Sequence, residues 1–428
     1  MSGALQEGSL AADLIRRHAG GGVRRIAESA GLTIMDGDGS YLIDERGTRY
    51  LDFVTGYGVA ALGHRHPRWV CAVTEQLEML CTSPFHNPQL AAYLGKLADV
   101  LPPGLDRTAL FSGGAEAVET ALRLAQLASG RPGILAFNDA FHGKTAGVRF
   151  AGGALATERQ RLGISWLRTA DFPACTDHSA LEYETCSESA TLLWDQLAQR
   201  DDLHDVGAVL VEPLLGTAGN IPPKGGFLPE LREVCDERGW LLVFDESQTG
   251  FGRTGHKFAY QLFDVRPDVI VMGKAMGAGF PLSGVAAAEE LWTAAGLDRP
   301  SSTSSSYGGN PLACAAGLAV LDVLDEPRFL GNVRTIGQIL SRGLDRLALR
   351  SRCVSRPRGA GLMLGFELLN PDTGGPADDE ARAKILRRCH ERGLLIAADV
   401  PRVRLSPPLT LSQQEAQQFL GILEEVLV

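Results

Sequence analysis

Only six of the 41 basic residues in this 428-residue chain are lysines, so chemistry that needs an amine nucleophile has few candidates. Lys96 and Lys384 lie in helical contexts (LAAYLGKLADVL and ARAKILRRC), where a solvated face is the ordinary outcome. Lys224 sits in a Pro/Gly loop, IPPKGG, and Lys144 and Lys257 follow glycine-containing turns. Lys274 differs. It comes directly after a buried-looking strand, DVIVMG, and before a glycine-rich turn, AMGAGFP. The carboxyl ends of parallel strands are where α/β folds place ligands. Partial desolvation there lowers a lysine pKa and frees the amine for Schiff-base formation with a carbonyl. A lysine that merely caps a strand end gives the same local pattern, and Lys274 alone does not decide between the two.

Two further elements bear on that choice. Asp245 ends the apolar run WLLVFDE, where a carboxylate needs a partner because an unpaired buried charge is expensive. A protonated ring nitrogen would serve; taken alone, a helix N-cap or an ion pair with a nearby arginine is the better reading. The stretch LFSGGAEAVETALRLAQ reads as a strand, a Gly-Gly turn and an amphipathic helix. Backbone N–H groups at such a helix start face an anion, and the glycines let a phosphate approach closely. Many such turns bind nothing. The three elements gain weight only in combination.

A scaffold must bring those strand ends together. SYLIDERGTRYLDF reads as two short strands around a turn at Glu45–Gly47. From about Pro67, apolar strands alternate with helices, the signature of an α/β domain with a mostly parallel sheet. The candidate strands are 107–111, 133–137, 207–211, 240–244 and 268–272, and their near-continuous apolar character suits strands covered on both faces. Helices are expected at Ala115–Leu127, Leu228–Glu237 and Pro311–Leu324. Beyond them, GLMLGFELL and LLIAADV read as strands, and 377–392 and 411–427 as helices. The expected division is a large domain at 63–325 and a smaller α+β domain at 326–428, joined by the N-terminal arm 1–62.

Bulk composition narrows the function classes. Hydrophobic residues are 45% of the chain, ample for a large core, and no long single-sign run accompanies the 21% of charged residues. A formal net charge of −10 argues against a protein that neutralises nucleic-acid phosphates. Eight scattered cysteines with no C-x-x-C pair fit neither a metal cluster nor a disulfide framework; free thiols in a reducing cytosol are expected. No signal-like N-terminus and no apolar run of membrane-spanning length is present, so a soluble cytoplasmic protein is expected, with no membrane or nucleic-acid partner and no metal.

The combined stretches resemble the class III (ω-type) aminotransferases, which include ornithine and 4-aminobutyrate aminotransferases. The resemblance is carried by GHRHP (63–67), SGGAEAVETALRLA (112–125), FHGKT (141–145) and VEPLLGTAGNIPPKGGFLPELREVCDERG (211–239). It continues through DESQTGFGRTG (245–255), PDVIVMGKAMGAGFPLSG (267–284) and SYGGNPLACAAGLAVL (306–321), with a weaker match at RLSPPLTL (404–411). It implies a fold-type-I enzyme dependent on pyridoxal 5'-phosphate (PLP), with Lys274 carrying the cofactor as a Schiff base and moving the proton. Asp245 would pair with the pyridine nitrogen, Gln248 would lie near the ring hydroxyl, and Phe141 would stack on one ring face. Gly114 and Ala115 would offer N–H groups to the phosphate. Ser306 falls where the family has a threonine that reaches the phosphate of the neighbouring subunit, which implies a homodimer with shared active sites. Tyr57 would line the substrate pocket.

Three departures from the family pattern bear on the substrate. Ser247 stands where the family commonly has a valine against the second ring face, which would loosen or rewet the ring sandwich. Thr217 replaces a glutamate that pairs with a substrate-binding arginine; that arginine is matched by Arg404, for which three outcomes are open: it binds a substrate carboxylate, swings aside, or forms a surface salt bridge. A histidine before YGGNP is missing, with Thr303 near its place. The expected activity is a ping-pong amino transfer from glutamate or alanine to an aldehyde or ketone, with an amino-sugar precursor or another specialised metabolite compatible as acceptor. The rival within the same family is an epimerase, racemase or aminomutase, which needs no keto-acid partner.

Overall fold

The computed structural model describes residues 14–15, 17–20, 31–83, 85–153, 156–175, 197, 199–399 and 401–427. Most of the polar N-terminal arm before residue 31, and Cys186, lie outside the described residues. The expected turn at Glu45–Gly47 is present in a meander of β1 (Ile34–Asp38), β2 (Tyr41–Asp44) and β3 (Arg49–Asp52).

Seven strands form the central sheet: β4 (Arg107–Phe111), β5 (Gly133–Phe137), β6 (Leu167–Ala170), β7 (Val206–Val211), β8 (Leu241–Asp245), β9 (Val269–Met272) and β10 (Ser283–Ala287). Their order is β4-β10-β9-β8-β7-β5-β6. Pairing is parallel from β6 to β9, while β10 runs antiparallel to both β9 and β4. Every residue of β5, β7, β9 and β10 is buried, which is why the parallel members read as unbroken apolar runs rather than as alternation. Two strands of this central sheet escaped the sequence reading. β6 (LRTA) carries an arginine and a threonine, and β10 (SGVAA) is built of small residues, so neither gives an apolar signal.

The helix expected at 115–127 runs Gly114–Ser129, burying Val118, Leu122 and Leu124 and ending at Gly130, whose φ of 66° makes the left-handed stop. The helix Pro311–Leu324 begins as its sequence suggests: Asn310 accepts from the Ala313 N–H, and Pro311 takes the first-turn position where no N–H is needed.

The C-terminal part contributes β11 (Arg358–Ala360), β12 (Met363–Glu367), β13 (Leu394–Leu395), β14 (Ala397–Asp399) and β15 (Arg402–Leu405). LLIAADV is not the single strand expected of it. The chain breaks at Ile396: β13 joins β3 in parallel, and β14 joins β15 in the sheet β11-β12-β15-β14. Each fragment follows a different neighbour, which a local pattern does not reveal. Helices Asp379–Glu391 and Gln413–Leu427 match the expected pair. Phe53, just after β3, stacks on Phe419 with ring centroids 3.9 Å apart, so chain start and chain end share one core. Among the described residues no helix is long and apolar enough to cross a membrane.

Candidate active site

The buried strands β8 and β9 lie side by side, with Asp245 in register with Val271, and so deliver Asp245 and Lys274 to the same sheet edge. A cavity of ≈ 380 Å³ opens there, lined by Gly114, Ala115, Phe141, Asp245, Ser247 and Lys274 among others. Lys274 begins a short 3-10 turn, Lys274–Met276, at φ 43°. A non-glycine residue in that region costs on the order of 1–3 kcal/mol, so the surroundings hold it there. Lys274 keeps some accessible surface because it faces the cavity. Burial nevertheless pulls its pKa below the usual lysine value, with Arg404 and Arg253 adding to the effect and Asp245 and Glu212 opposing it. The other lysines have ordinary settings: Lys257 and Lys96, for instance, both pair with Asp325, at 2.8 and 3.3 Å.

Asp245 is 3% exposed, and its protein partner is a histidine, neither the helix N-cap nor the arginine pair that its local sequence left open. Its Oδ2 lies 2.8 Å from His142 Nδ1, and its Oδ1 accepts the Ser247 N–H at 3.0 Å. Burial alone would raise the Asp245 pKa; the hydrogen bond and charge of His142, with Ser247 and Lys274, outweigh it and hold the carboxyl below the usual range. The Nε2 of His142 is buried without a partner among the described residues. Next to this pair, Glu212 directly follows β7. Its Oε1 accepts the Phe141 N–H at 2.8 Å and its Oε2 accepts the Gly216 N–H at 2.9 Å. Burial raises the Glu212 pKa, and His142 opposes the rise.

Sequence reasoning quoted FHGKT and VEP yet assigned a role only to Phe141. His142 and Glu212 were missed, although Glu212 carries the same signal as Asp245: a carboxylate closing an unbroken apolar strand.

At the helix start, Glu116 takes the Gly113 N–H at 2.8 Å. The N–H groups of Gly114 and Ala115 have no protein partner among the described residues, as expected for the first turn of a helix. Ser283 of β10 donates to the Gly113 carbonyl at 2.9 Å and ties this turn to the sheet. Gly143 must be glycine: its φ is 133°, and a Cβ there would stand 2.7 Å from that of Ala115.

Phe141 is 38% exposed, with Lys144 Nζ 6.0 Å from its ring centroid. Ser247 Oγ is buried and has no partner among the described residues. Gln248 does not line the cavity; it packs between Gly58 and Gly216, each of which would bring a Cβ within 3.2 Å of it. Tyr57 and Arg404 are brought together, Cζ lying 5.3 Å from the ring centroid. Of the alternatives open for Arg404, the salt bridge is present: its Nη2 donates to Asp399 Oδ2 at 3.1 Å. Ser306 and Thr217 are exposed and line no part of the cavity. Arg253 is 1% exposed, donates to the carbonyls of Pro407 (2.5 Å) and Leu362 (3.3 Å), and burial pushes its pKa down to about 9.

Residues 25–427 match the family Aminotransferase class-III. The chain belongs to the class-III aminotransferases. This class-III aminotransferase is 36% identical to acetylornithine aminotransferase 1 of Bordetella pertussis over 402 residues, 90% of this chain and 92% of that one. It is 35% identical to the LysW-aminoadipate semialdehyde/glutamate semialdehyde transaminase of Sulfurisphaera tokodaii over 390 residues, 91% and 92% of the two chains. An amine transaminase from an uncultivated Pseudomonas species, in its PLP-bound form, superposes with a TM-score of 0.81 at 30% identity, covering 92% of this chain and 94% of that one. The enzyme is accordingly a PLP-dependent transaminase of fold type I. Its residues fit that cofactor: the cavity joins an amine with lowered pKa, an ionised carboxylate at its base, an aromatic wall and an unpaired pair of helix-start N–H groups.

Proposed function

We propose that this transaminase takes an amino group from L-glutamate or L-alanine and passes it to an aldehyde or ketone in a ping-pong cycle. Bound PLP supplies the electron sink that lets the C–H bond beside the reacting nitrogen break. Lys274 would hold the cofactor covalently, and its Nζ, once released, would carry the proton between the two carbons. Asp245, kept ionised by His142, would pair with the cofactor's ring nitrogen, and Phe141, its backbone pinned by Glu212, would offer an aromatic wall to the ring. Gly114 and Ala115 would take the phosphate, and Gln248, packed between Gly58 and Gly216, would serve the ring hydroxyl. Arg404, backed by Tyr57, receives the donor's carboxylate through its planar fork. The observation that carries this reading is the buried Lys274–Asp245–His142 arrangement opening on one cavity.

Ser306 is proposed to complete the partner subunit's site in a homodimer. The exposed side chains of Leu77, Met79, Leu80, Phe85 and Tyr307 support such an interface. The division at 62/63 and 325/326 is proposed for the domains, with the pairing of β3 and β13 supporting a shared terminal unit. Seven free cysteines among the described residues suit a cytoplasmic enzyme.

Mixing the holoenzyme with L-glutamate, and separately with L-alanine, tests the donor. The expected result is conversion of the cofactor absorption to that of its amine form, with an equal amount of keto acid. Supplying carbonyl acceptors, amino-sugar precursors among them, then returns the original spectrum. Inverted or rearranged donor with no keto acid would favour the isomerase instead. Lys274→Ala should lose the covalent cofactor and turnover; retained turnover would overturn the site assignment.

A further inference from the structure

The stretch that begins with Lys274 is held in a conformation that its own residues disfavour. Lys274 (φ 43°) and Ala278 (φ 45°) lie in the left-handed region, followed by Gly279 at 115°. A side chain costs free energy there, so contacts from outside must keep the backbone in place. The stretch also borders the cavity at both ends, with Gly273 and Lys274 on one side and Gly279 to Leu282 on the other. Its middle is pinned at a single atom. The buried carbonyl of Gly277 accepts the Phe280 N–H at 3.0 Å and closes a tight turn, in which a Cβ on Gly277 would stand 2.1 Å from the Phe280 carbonyl oxygen. The same carbonyl accepts a second bond, also at 3.0 Å, from Trp69 Nε1. Gly277 in turn donates its N–H to the Lys274 carbonyl at 3.3 Å. Trp69 lies in the first turn of the helix Pro67–Met79, directly after GHRHP, and its ring packs against the large hydrophobic core.

We propose that Trp69 is a positioning residue for Lys274: its indole N–H fixes the Gly277 carbonyl, and through it the turn that presents the lysine Nζ to the cavity. This rests on the reading of Lys274 as the residue that carries the cofactor. A carbonyl oxygen has two acceptor sites, and both are filled here, one by the turn itself and one from a distant part of the chain. The indole suits the second site because it joins a large apolar body, which the core holds, to a group that only donates. With both bonds made, the Gly277–Ala278 peptide plane resists rotation. Rotation of that plane is the motion that would let Ala278 leave its positive φ and loosen the bond from Gly277 back to the Lys274 carbonyl. The rate at which an amine reacts depends steeply on where it is held, so slack in this turn is read directly in the chemistry of Nζ.

The test compares Trp69→Phe, which keeps an aromatic ring and removes the donor, with Trp69→His, whose Nε2 can donate from the place of the indole nitrogen but whose ring is smaller. Two rate constants are read: capture of PLP by the apoenzyme, followed by the absorption of the bound cofactor, and single turnover of the holoenzyme with L-glutamate or L-alanine. Rate constants serve because partial misfolding lowers only the amplitude. In Trp69→Phe both should fall about three- to tenfold, the span that one neutral hydrogen bond governs, with KM held within about twofold. Trp69→His should be faster than Trp69→Phe in both, although it removes more apolar surface. A Trp69→Phe variant within about twofold of the parent in either rate, or a Trp69→His variant no faster than it, overturns the proposal and reduces Trp69 to packing. If the histidine variant does not fold, the phenylalanine variant decides alone; if neither amino acid reacts, the capture rates decide alone. Borohydride reduction and peptide mapping of the holoenzyme separate the two layers of argument. Attachment at another lysine means that the reading of Lys274 fails and the role of Trp69 falls with it. Attachment at Lys274 with unaltered rates leaves that reading intact and removes only the role of Trp69.

Discussion

Replacing His142 with leucine removes the donor from Asp245 while keeping an apolar side chain in a fully buried position. The carboxylate retains the Ser247 N–H at 3.0 Å and the nearby charge of Lys274, but loses the 2.8 Å bond to Nδ1. A hydrogen bond to a charged group contributes about 1.5–3 kcal/mol. At 1.36 kcal/mol per unit, the Asp245 pKa should rise by about 1–2 units from its depressed value. The sign follows from the direction of the native shift. A depressed carboxyl pKa contributes stability above the unfolded value and loses it as pH falls through the folded one. The variant should therefore lose melting temperature most at neutral pH and converge on the parent in acid. The loss is offset in part, because His142 Nε2 is itself buried without a partner among the described residues. In the half-reaction with L-glutamate, the acid limb of kcat/KM against pH should move upward by about the same 1–2 units. His142→Asn, a shorter donor, should recover part of that displacement. A uniform loss at every pH, or an acid limb that stays in place, would refute the reasoning and reduce His142 to packing.

Lys274 and Glu246 give pH predictions of their own. Burial lowers the Lys274 pKa, so capture of PLP by the apoenzyme, which needs the neutral amine, should reach half its maximal rate below pH 10.5; a midpoint at or above that value would contradict the desolvated site. Glu246 is buried and held by the N–H groups of Ala259 and Tyr260 and by Thr249, and burial pushes its pKa up to about 7. Its raised pKa favours folding below the unfolded value near 4.5, and that contribution, about 3 kcal/mol, is lost as pH rises through 7. Glu246→Gln should flatten the fall in apoenzyme stability between pH 5 and 8; an unaltered slope would show that Glu246 is not the titrating group.

What could be read from the sequence was whatever the chain announces locally. Asp245 and Lys274 stand out because a charge seldom closes an unbroken apolar run, and the same run fixed β8 and β9 to within a residue. The Gly-Gly turn and its helix were legible for the same reason. β10 was not, because its small residues make a strand only when β4 and β9 are already on either side. The partner of Asp245 lies 103 positions away, and no spacing rule links FHG to the end of β8. The hold on Arg404 depends on a diagonal reach across the hairpin β14–β15, which appears only once the break at Ile396 has sent β13 and β14 to different sheets.

The antiparallel strand β10 has a consequence for how the enzyme is made. In the sheet, β4 has only β10 as a neighbour among the described residues, and Ser283 of β10 ties the Gly113 carbonyl to it. A ribosome that has just finished Lys274 has already produced Asp245, His142 and Phe141, yet β4, which leads into the Gly113–Ala115 turn, still lacks its sheet neighbour. Until β10 slides between β4 and β9, the fully apolar edge of β9 is open to any passing strand. Pairings that span so much chain form slowly, and such intermediates are prone to aggregate. The strand that completes this edge of the sheet is the last of its seven to be synthesised.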